Sequence, residues 1–278
     1  MTPALHHVEA AGLRFAYHEE GKGPMVLLLH GFPDTARTWD AVRPAVAAAG
    51  FRAVSPYTRG YAPTSIPKVD AFDADTLGRD ALALIEALGE EKAIVVGHDW
   101  GASAAYSAAG LAPERVRMLV TIAIPHPASV IPTPRLLWDV RHFFTLSKKG
   151  AAARIRKDDL AHIDELWQRW SGGWRVPAGE TDAVKASLRE PGSLEAALGY
   201  YRALRPWLPK GQRRKVTVPA VAFAGTEDLV HPSAYEKARS RYLSDYEVVT
   251  MPGGHFMHRQ HRDHFNRELV RVLSRAQA

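Results

Sequence analysis

The sequence predicts an α/β fold: a mostly parallel central sheet, helices on both faces, and an inserted helical lid. Three observations predict it. Short apolar runs alternate with helical segments through the first 125 residues. From about residue 128 to 210 strand-like runs vanish and charged amphipathic segments replace them. Strand rhythm then returns near residue 220. The 278 residues, 46% apolar and 24% charged, have an ordinary globular composition and suffice for one large domain.

The elements follow in order. LRFAYH (13–18) and MVLLLH (25–30) read as two strands around the turn EEGKGP. VLLL is the kind of apolar run that a strand buried on both faces requires. An Ala-rich helix near 39–49 ends at Gly50 and leads to a third strand, FRAVS (51–55). Residues 74–88 place Leu77, Ala81, Leu84 and Leu88 on one side of a helix. AIVVGH (93–98) is a strand, 103–113 a helix of small residues, and MLVTIAI (118–124) a strand stopped by Pro125 and Pro127. AVAFAG (220–225), YEVVTM (246–251) and a helix over about 262–275 complete the chain. The expected organisation is a core of 1–127 and 211–278, with the lid at 128–210.

Composition removes several functions. Cysteine is absent, which excludes disulfides, thiolate metal sites and a Cys nucleophile. No apolar run approaches the roughly 18–20 residues of a membrane helix, and MTPALHHVEA does not read as a secretory signal, so the expected compartment is the cytoplasm. The net charge is +6, yet residues 141–216 alone hold 16 Lys/Arg against 8 Asp/Glu. The excess belongs to the lid and reads as a solvated helical surface. No nucleic-acid module accompanies it, so no nucleic-acid partner is expected. Oligomeric state is not encoded legibly.

Chemistry concentrates in VVGHDWGASAAY (95–106), where a buried strand runs through Gly97-His98-Asp99-Trp100-Gly101 into a small-residue helix. This is the G-x-nucleophile-x-G elbow, with Asp99 where a serine usually sits. The alternative role for Asp99 is a cap on that helix. Two further segments favour the elbow. HGFPDTARTW (30–39) follows the buried strand, and MPGGHFMH (251–258) places His255 after the last strand. FAGTED (223–228) sets Asp228 just past another strand, which gives the chain order nucleophile, acid, histidine. His6, His7, His258, His261 and His264 are expected at the surface, and His30 and His98 as packing residues beside their motifs. His126, in IPHP, is placed at the cavity border by its strand-end position. No two histidines stand at the i, i+4 spacing of a helical zinc face, so no metal and no organic cofactor is expected.

HGFP, RGYAPTS, GHDWG, GTED and GGHFMH together resemble the α/β-hydrolases, specifically the branch of epoxide hydrolases and haloalkane and haloacetate dehalogenases. The resemblance runs from about residue 12 to 275. A carboxylate nucleophile suits attack on a saturated carbon, because the resulting alkyl ester can be hydrolysed by water. The resemblance implies that His255 activates that water and that Asp228 orients His255. It also implies an oxyanion hole from the backbone N–H groups of Phe32 and Trp100.

ALGYYRALRP (197–206) resembles a lid motif that supplies a phenol to an epoxide oxygen, and Tyr201 matches it; packing of the lid is the alternative role for Tyr200 and Tyr201. The matching segment RHFFTLSKKGAAA (141–153) offers Phe143 and Phe144 but no second tyrosine. Either one phenol suffices, another group helps, or the substrate is not an epoxide. A haloalkane would need a halide cradle; Trp100 could donate to it, but Phe32 stands where an Asn would. Haloacetate relatives carry Arg where Trp100 stands. The sequence therefore favours a small apolar epoxide and water as substrates, with dehalogenation as the alternative and a non-catalytic binding protein as a third reading. Trp100, Phe32, Phe143, Tyr200 and His126 are the expected substrate contacts.

Overall fold

A computed structural model describes residues 4–131 and 133–276; residues 1–3, 132, 277 and 278 of the expected core and lid lie outside them. Eight strands form one sheet: β1 (His6–Ala10), β2 (Leu13–Glu20), β3 (Met25–Leu29), β4 (Arg52–Pro56), β5 (Ala93–His98), β6 (Val116–Ile122), β7 (Ala220–Gly225) and β8 (Tyr246–Met251). Their order is β1-β2-β4-β3-β5-β6-β7-β8. β1 and β2 run antiparallel, as do β2 and β4, and every later pair is parallel.

β1 is absent from the sequence reading. HHVEA has no apolar run, and its burial alternates, because an edge strand buries one face only. The helix expected over 39–49 is broken into a 3-10 turn, Ala36–Trp39, and a helix Arg43–Ala48 with Pro44 in its first turn. The helix expected from 103 begins at Trp100, since the backbone turns sharply at Asp99 and is helical immediately after.

Alternation along the central strands feeds two cores. In β3, Met25, Leu27 and Leu29 join the layer formed with the helices Ala74–Ala87 and Trp100–Leu111. Val26 and Leu28 face the layer formed with Arg43–Ala48 and the last helix, Arg262–Ser274. Asp73 caps the first of these helices by accepting from the Asp75 and Thr76 amides, both at 3.1 Å.

Between β6 and β7 the chain makes short helices, among them Pro134–Asp139, His142–Leu146, Ala161–Trp170 and Gly199–Arg202. Two contacts fasten this segment over the strand ends. Trp167 stacks flat on Phe256 at 3.8 Å, and its indole N–H donates to the Pro33 carbonyl at 2.8 Å. Ser193 accepts from the Ala62 amide at 3.1 Å and donates to the Gly60 carbonyl at 3.0 Å. Among the described residues no helix is long and apolar enough to cross a membrane.

Candidate active site

β5 delivers Asp99 with φ +53° and ψ −119°, a conformation that side chains rarely adopt. The turn is possible because Gly97 carries no Cβ, which would collide with the Gly101 carbonyl. Asp99 does not cap its helix, for its side chain makes no capping hydrogen bond. One carboxylate oxygen, Oδ1, accepts from the Phe32 amide at 2.8 Å, and the Trp100 amide also hydrogen-bonds the carboxylate. The two amides expected to bind an oxyanion thus converge on one carboxylate. Burial works against the charge on Asp99, but the neighbouring His255 imidazolium outweighs it and holds the carboxyl below its usual range.

The loops after β7 and β8 bring Asp228 and His255 to the same place. His255 Nδ1 lies 3.2 Å from Asp228 Oδ1, which also accepts from the Leu229 amide at 2.7 Å. On the other side of the ring, Nε2 is 3.4 Å from Asp99 Oδ2, close enough for an ion pair but without hydrogen-bond alignment. Burial disfavours the imidazolium, yet Asp228 first and Asp99 second overcome it and push the His255 pKa up to about 10.

A cleft of about 790 Å³ opens above Asp99. Trp100, Phe143 and Tyr200 line it, together with Ile124, Val130 and Trp207. Tyr201 adjoins this lining, its ring edge-on to Phe32 at 5.2 Å, Trp100 at 5.4 Å and Phe143 at 5.4 Å. Burial and the Asp99 charge keep its phenol protonated well above the usual range, against a hydrogen bond with the Trp100 side chain. Tyr200 is committed elsewhere: its hydroxyl donates to the Arg59 carbonyl at 2.5 Å.

Three sequence expectations are corrected here. Phe32 gives its amide to the site, but its ring packs against Tyr201 and does not line the cleft. His126 is turned away from the cleft, wedged edge-on between Tyr106 at 5.0 Å and Tyr242 at 5.9 Å, while its Nδ1 accepts from the Ala128 amide. His258 is buried, not exposed, because the turn after His255 folds its ring over Trp39 at 5.1 Å. Asp34, His98 and His258 bring ligand-type atoms within 4.8 Å of one another beneath the site. There His98 Nε2 donates to the His255 carbonyl at 2.9 Å, which supports the loop that carries His255.

His142 is the residue that the sequence reading does not single out. It is buried beside Phe143, and its ring faces Tyr201 at 6.1 Å and Trp170 at 4.6 Å. The only sequence signal was its place next to the aromatic pair of the lid segment.

A family model described as alpha/beta hydrolase fold matches residues 24–261. An epoxide hydrolase of Caballeronia sordidicola is 38% identical, over 96% of this chain and 93% of that one. The AB hydrolase superfamily protein YfhM of Bacillus subtilis is 32% identical, over 90% of this chain and 85% of the relative. Among solved structures, a mutant epoxide hydrolase from Bacillus megaterium holding its diol product superposes with a TM-score of 0.84 at 21% identity. That match covers 97% of this chain and 100% of the other, a likeness of fold.

Proposed function

Because the chain belongs to the α/β-hydrolase family and has epoxide hydrolases among its near-full-length relatives, we propose that it opens small apolar epoxides to vicinal diols through an ester on Asp99. The observation that carries this reading is the position of the Asp99 carboxylate. One oxygen sits among amide donors and the other faces His255 beneath a cleft walled largely by apolar side chains. A carboxylate so placed suits a saturated carbon; against an acyl group it would form an anhydride.

In the first step an Asp99 oxygen attacks a ring carbon. The ring C–O bond breaks, its electron pair moves to the oxygen, and that oxygen takes the proton of Tyr201. In the second step water attacks the ester carbonyl while His255 removes its proton. The Phe32 and Trp100 amides stabilise the oxyanion that forms, a role worth about 10²–10³-fold per donor elsewhere. Collapse of the tetrahedral intermediate expels the diol alkoxide and leaves Asp99 as a carboxylic acid. The two protons of the attacking water, one on His255 and one on Asp99, then pass to the alkoxide and to the Tyr201 phenolate, which restores the Asp99 carboxylate. Asp228 keeps His255 in the tautomer and orientation that this transfer needs.

Displacement of halide has less support, since Phe32 stands where an Asn would cradle the halide. The test is a single turnover in oxygen-18 water with a generic aryl epoxide. Label should enter the Asp99 carboxylate. Label confined to the diol, with activity surviving Asp99→Ala, would refute the ester route; turnover of a haloacid but not of the epoxide would move the assignment to dehalogenation.

A further inference from the structure

Beneath the site, Asp34, His98 and His258 are at most 5% exposed, and one ligand-type atom of each lies within 4.8 Å of those of the other two. Each side chain also keeps a buried polar atom without a hydrogen-bond partner among the described residues: Asp34 Oδ2, His98 Nδ1 and His258 Nδ1. The remaining polar atoms of the three are engaged. Asp34 Oδ1 accepts from the Thr35 amide at 2.8 Å, and the Thr38 hydroxyl also hydrogen-bonds this carboxylate. His98 Nε2 meets the His255 carbonyl at 2.9 Å, and His258 Nε2 meets the Thr38 hydroxyl at 2.8 Å. A carbonyl only accepts, so the His98 proton is on Nε2 and its Nδ1 presents a lone pair. Thr38 gives its one proton to Asp34 and therefore accepts from His258, which leaves a lone pair on His258 Nδ1 as well. Three buried acceptors are thus without a donor, whereas polar atoms buried in this way are normally paired. One water could donate to two of them; a cation satisfies all three.

We propose that Asp34, His98 and His258 form a site for a divalent transition-metal ion of the zinc class, which braces the loops that carry Phe32, Asp99 and His255. Two imidazoles and a carboxylate are a donor set that zinc accepts. A metal-bound histidine commonly donates its other ring N–H to a fixed acceptor, and both rings do so here, one to a carbonyl and one to a hydroxyl. The two ring centres are 4.5 Å apart. Ligand atoms around a tetrahedral zinc ion stand roughly 3.3 Å apart, so binding draws the three side chains together by up to about 1.5 Å. A second cleft, of about 480 Å³, reaches Asp34 and His258 and gives the ion and a water for its fourth position a way in. Arg259 borders that cleft, but its charge is matched by Glu180 at 2.6 Å. Asp34 is two residues past Phe32, His98 precedes Asp99, and His258 is three residues past His255. The ligands come from separate stretches of the chain, so no local spacing displays them. The site stands whether or not the ester mechanism holds.

The experiment titrates the full-length chain, freed of metal by a chelator, with Zn²⁺ in a calorimeter and follows its thermal unfolding. Wild type should bind one ion at this site, and Zn²⁺ at 100 times Kd should raise Tm by about 5 °C. Asp34→Asn, which keeps the shape, and His258→Gln should each weaken binding at least about 10²-fold and lose the Tm shift. The double variant His6→Gln, His7→Gln, on the edge strand β1, should change neither. No binding by wild type would overturn the proposal. Binding that survives Asp34→Asn and His258→Gln, or that is lost in the β1 variant, would mean an adventitious ion only and overturn it too. Should Asp34→Asn and His258→Gln fail to fold by circular dichroism, wild-type crystals grown with Zn²⁺ decide alone. An anomalous-scattering peak at the zinc edge among Asp34, His98 and His258 is the expected result; peaks elsewhere only, or none, overturn the proposal.

Discussion

Asp99 Oδ2 faces His255 Nε2 at 3.4 Å, so the proposed nucleophile and base form an ion pair in the free protein. This pairing has a chemical consequence. In the proposed mechanism His255 acts as a base only after Asp99 has been alkylated, and alkylation removes one of the two negative charges that hold its proton. Asp99→Asn imitates that loss. The His255 pKa should fall from about 10 toward 6.5 in this variant, as followed by NMR titration of the imidazole. An unchanged titration would mean that Asp228 alone controls the ring.

The same group predicts how stability varies with pH. Its folded pKa of about 10 lies above the ordinary 6.5, so its contribution is complete below 6.5 and disappears as the pH rises through about 10. Urea midpoints measured at neutral pH and just above the folded pKa should differ more in wild type than in Asp99→Asn. Equal losses in the two proteins would assign the alkaline weakening to other groups.

Gly31 makes room for the proposed oxyanion hole. A Cβ there would collide with Asp99 Oδ1 and come within 2.5 Å of the Trp100 amide nitrogen. Gly31→Ala should lower kcat by about 10²-fold or more, the scale of a lost oxyanion donor. Circular dichroism should still report a folded chain, since the collision lies at the site. Wild-type kcat in Gly31→Ala would show that the amides do not need their observed positions.

Arg59 and Asp80 form a bidentate ion pair with both contacts at 2.6 Å, and both side chains are buried. Asp80→Ala leaves a buried guanidinium unmatched and should cost roughly 3–5 kcal/mol in urea denaturation. The Arg59 carbonyl also receives the Tyr200 hydroxyl, so the loss should loosen one wall of the cleft as well. A variant within about 1 kcal/mol of wild type would mean that water reaches the pair.

The parallel strands were legible because burial on both faces leaves continuous apolar runs such as MVLLL and AIVVGH. β1 was not, since HHVEA buries one face at the sheet edge. At the site, Gly97, Asp99 and Gly101 are neighbours in sequence, and their spacing displays the turn they make. Asp228 and His255 each follow a strand directly, so their approach could be read from order alone. Lid positions carry no such rule. Whether His126, Phe32 or His142 faces the cleft depends on how short helices pack on the strand ends, which periodicity does not determine. His126 sits after a core strand and still turns toward Tyr106 and Tyr242. His142, without a motif of its own, is carried inward by its helix.

Trp167 links the lid to both halves of the site. Its ring lies flat on Phe256, the residue after His255, and its N–H donates to the carbonyl of Pro33, the residue after Phe32. Removing it should disturb the base and an oxyanion donor together. Trp167→Ala should destabilise by roughly 3–5 kcal/mol, the range for a large buried aromatic. Trp167→Phe keeps the stack and loses the hydrogen bond, so it should cost only about 0.5–1.5 kcal/mol. In steady-state kinetics Trp167→Phe should lower kcat more than it raises KM, because the Pro33 carbonyl is next to a group proposed to act in the transition state, not to bind substrate. A change confined to KM would place Trp167 in the cleft wall and remove it from the support of the catalytic loops.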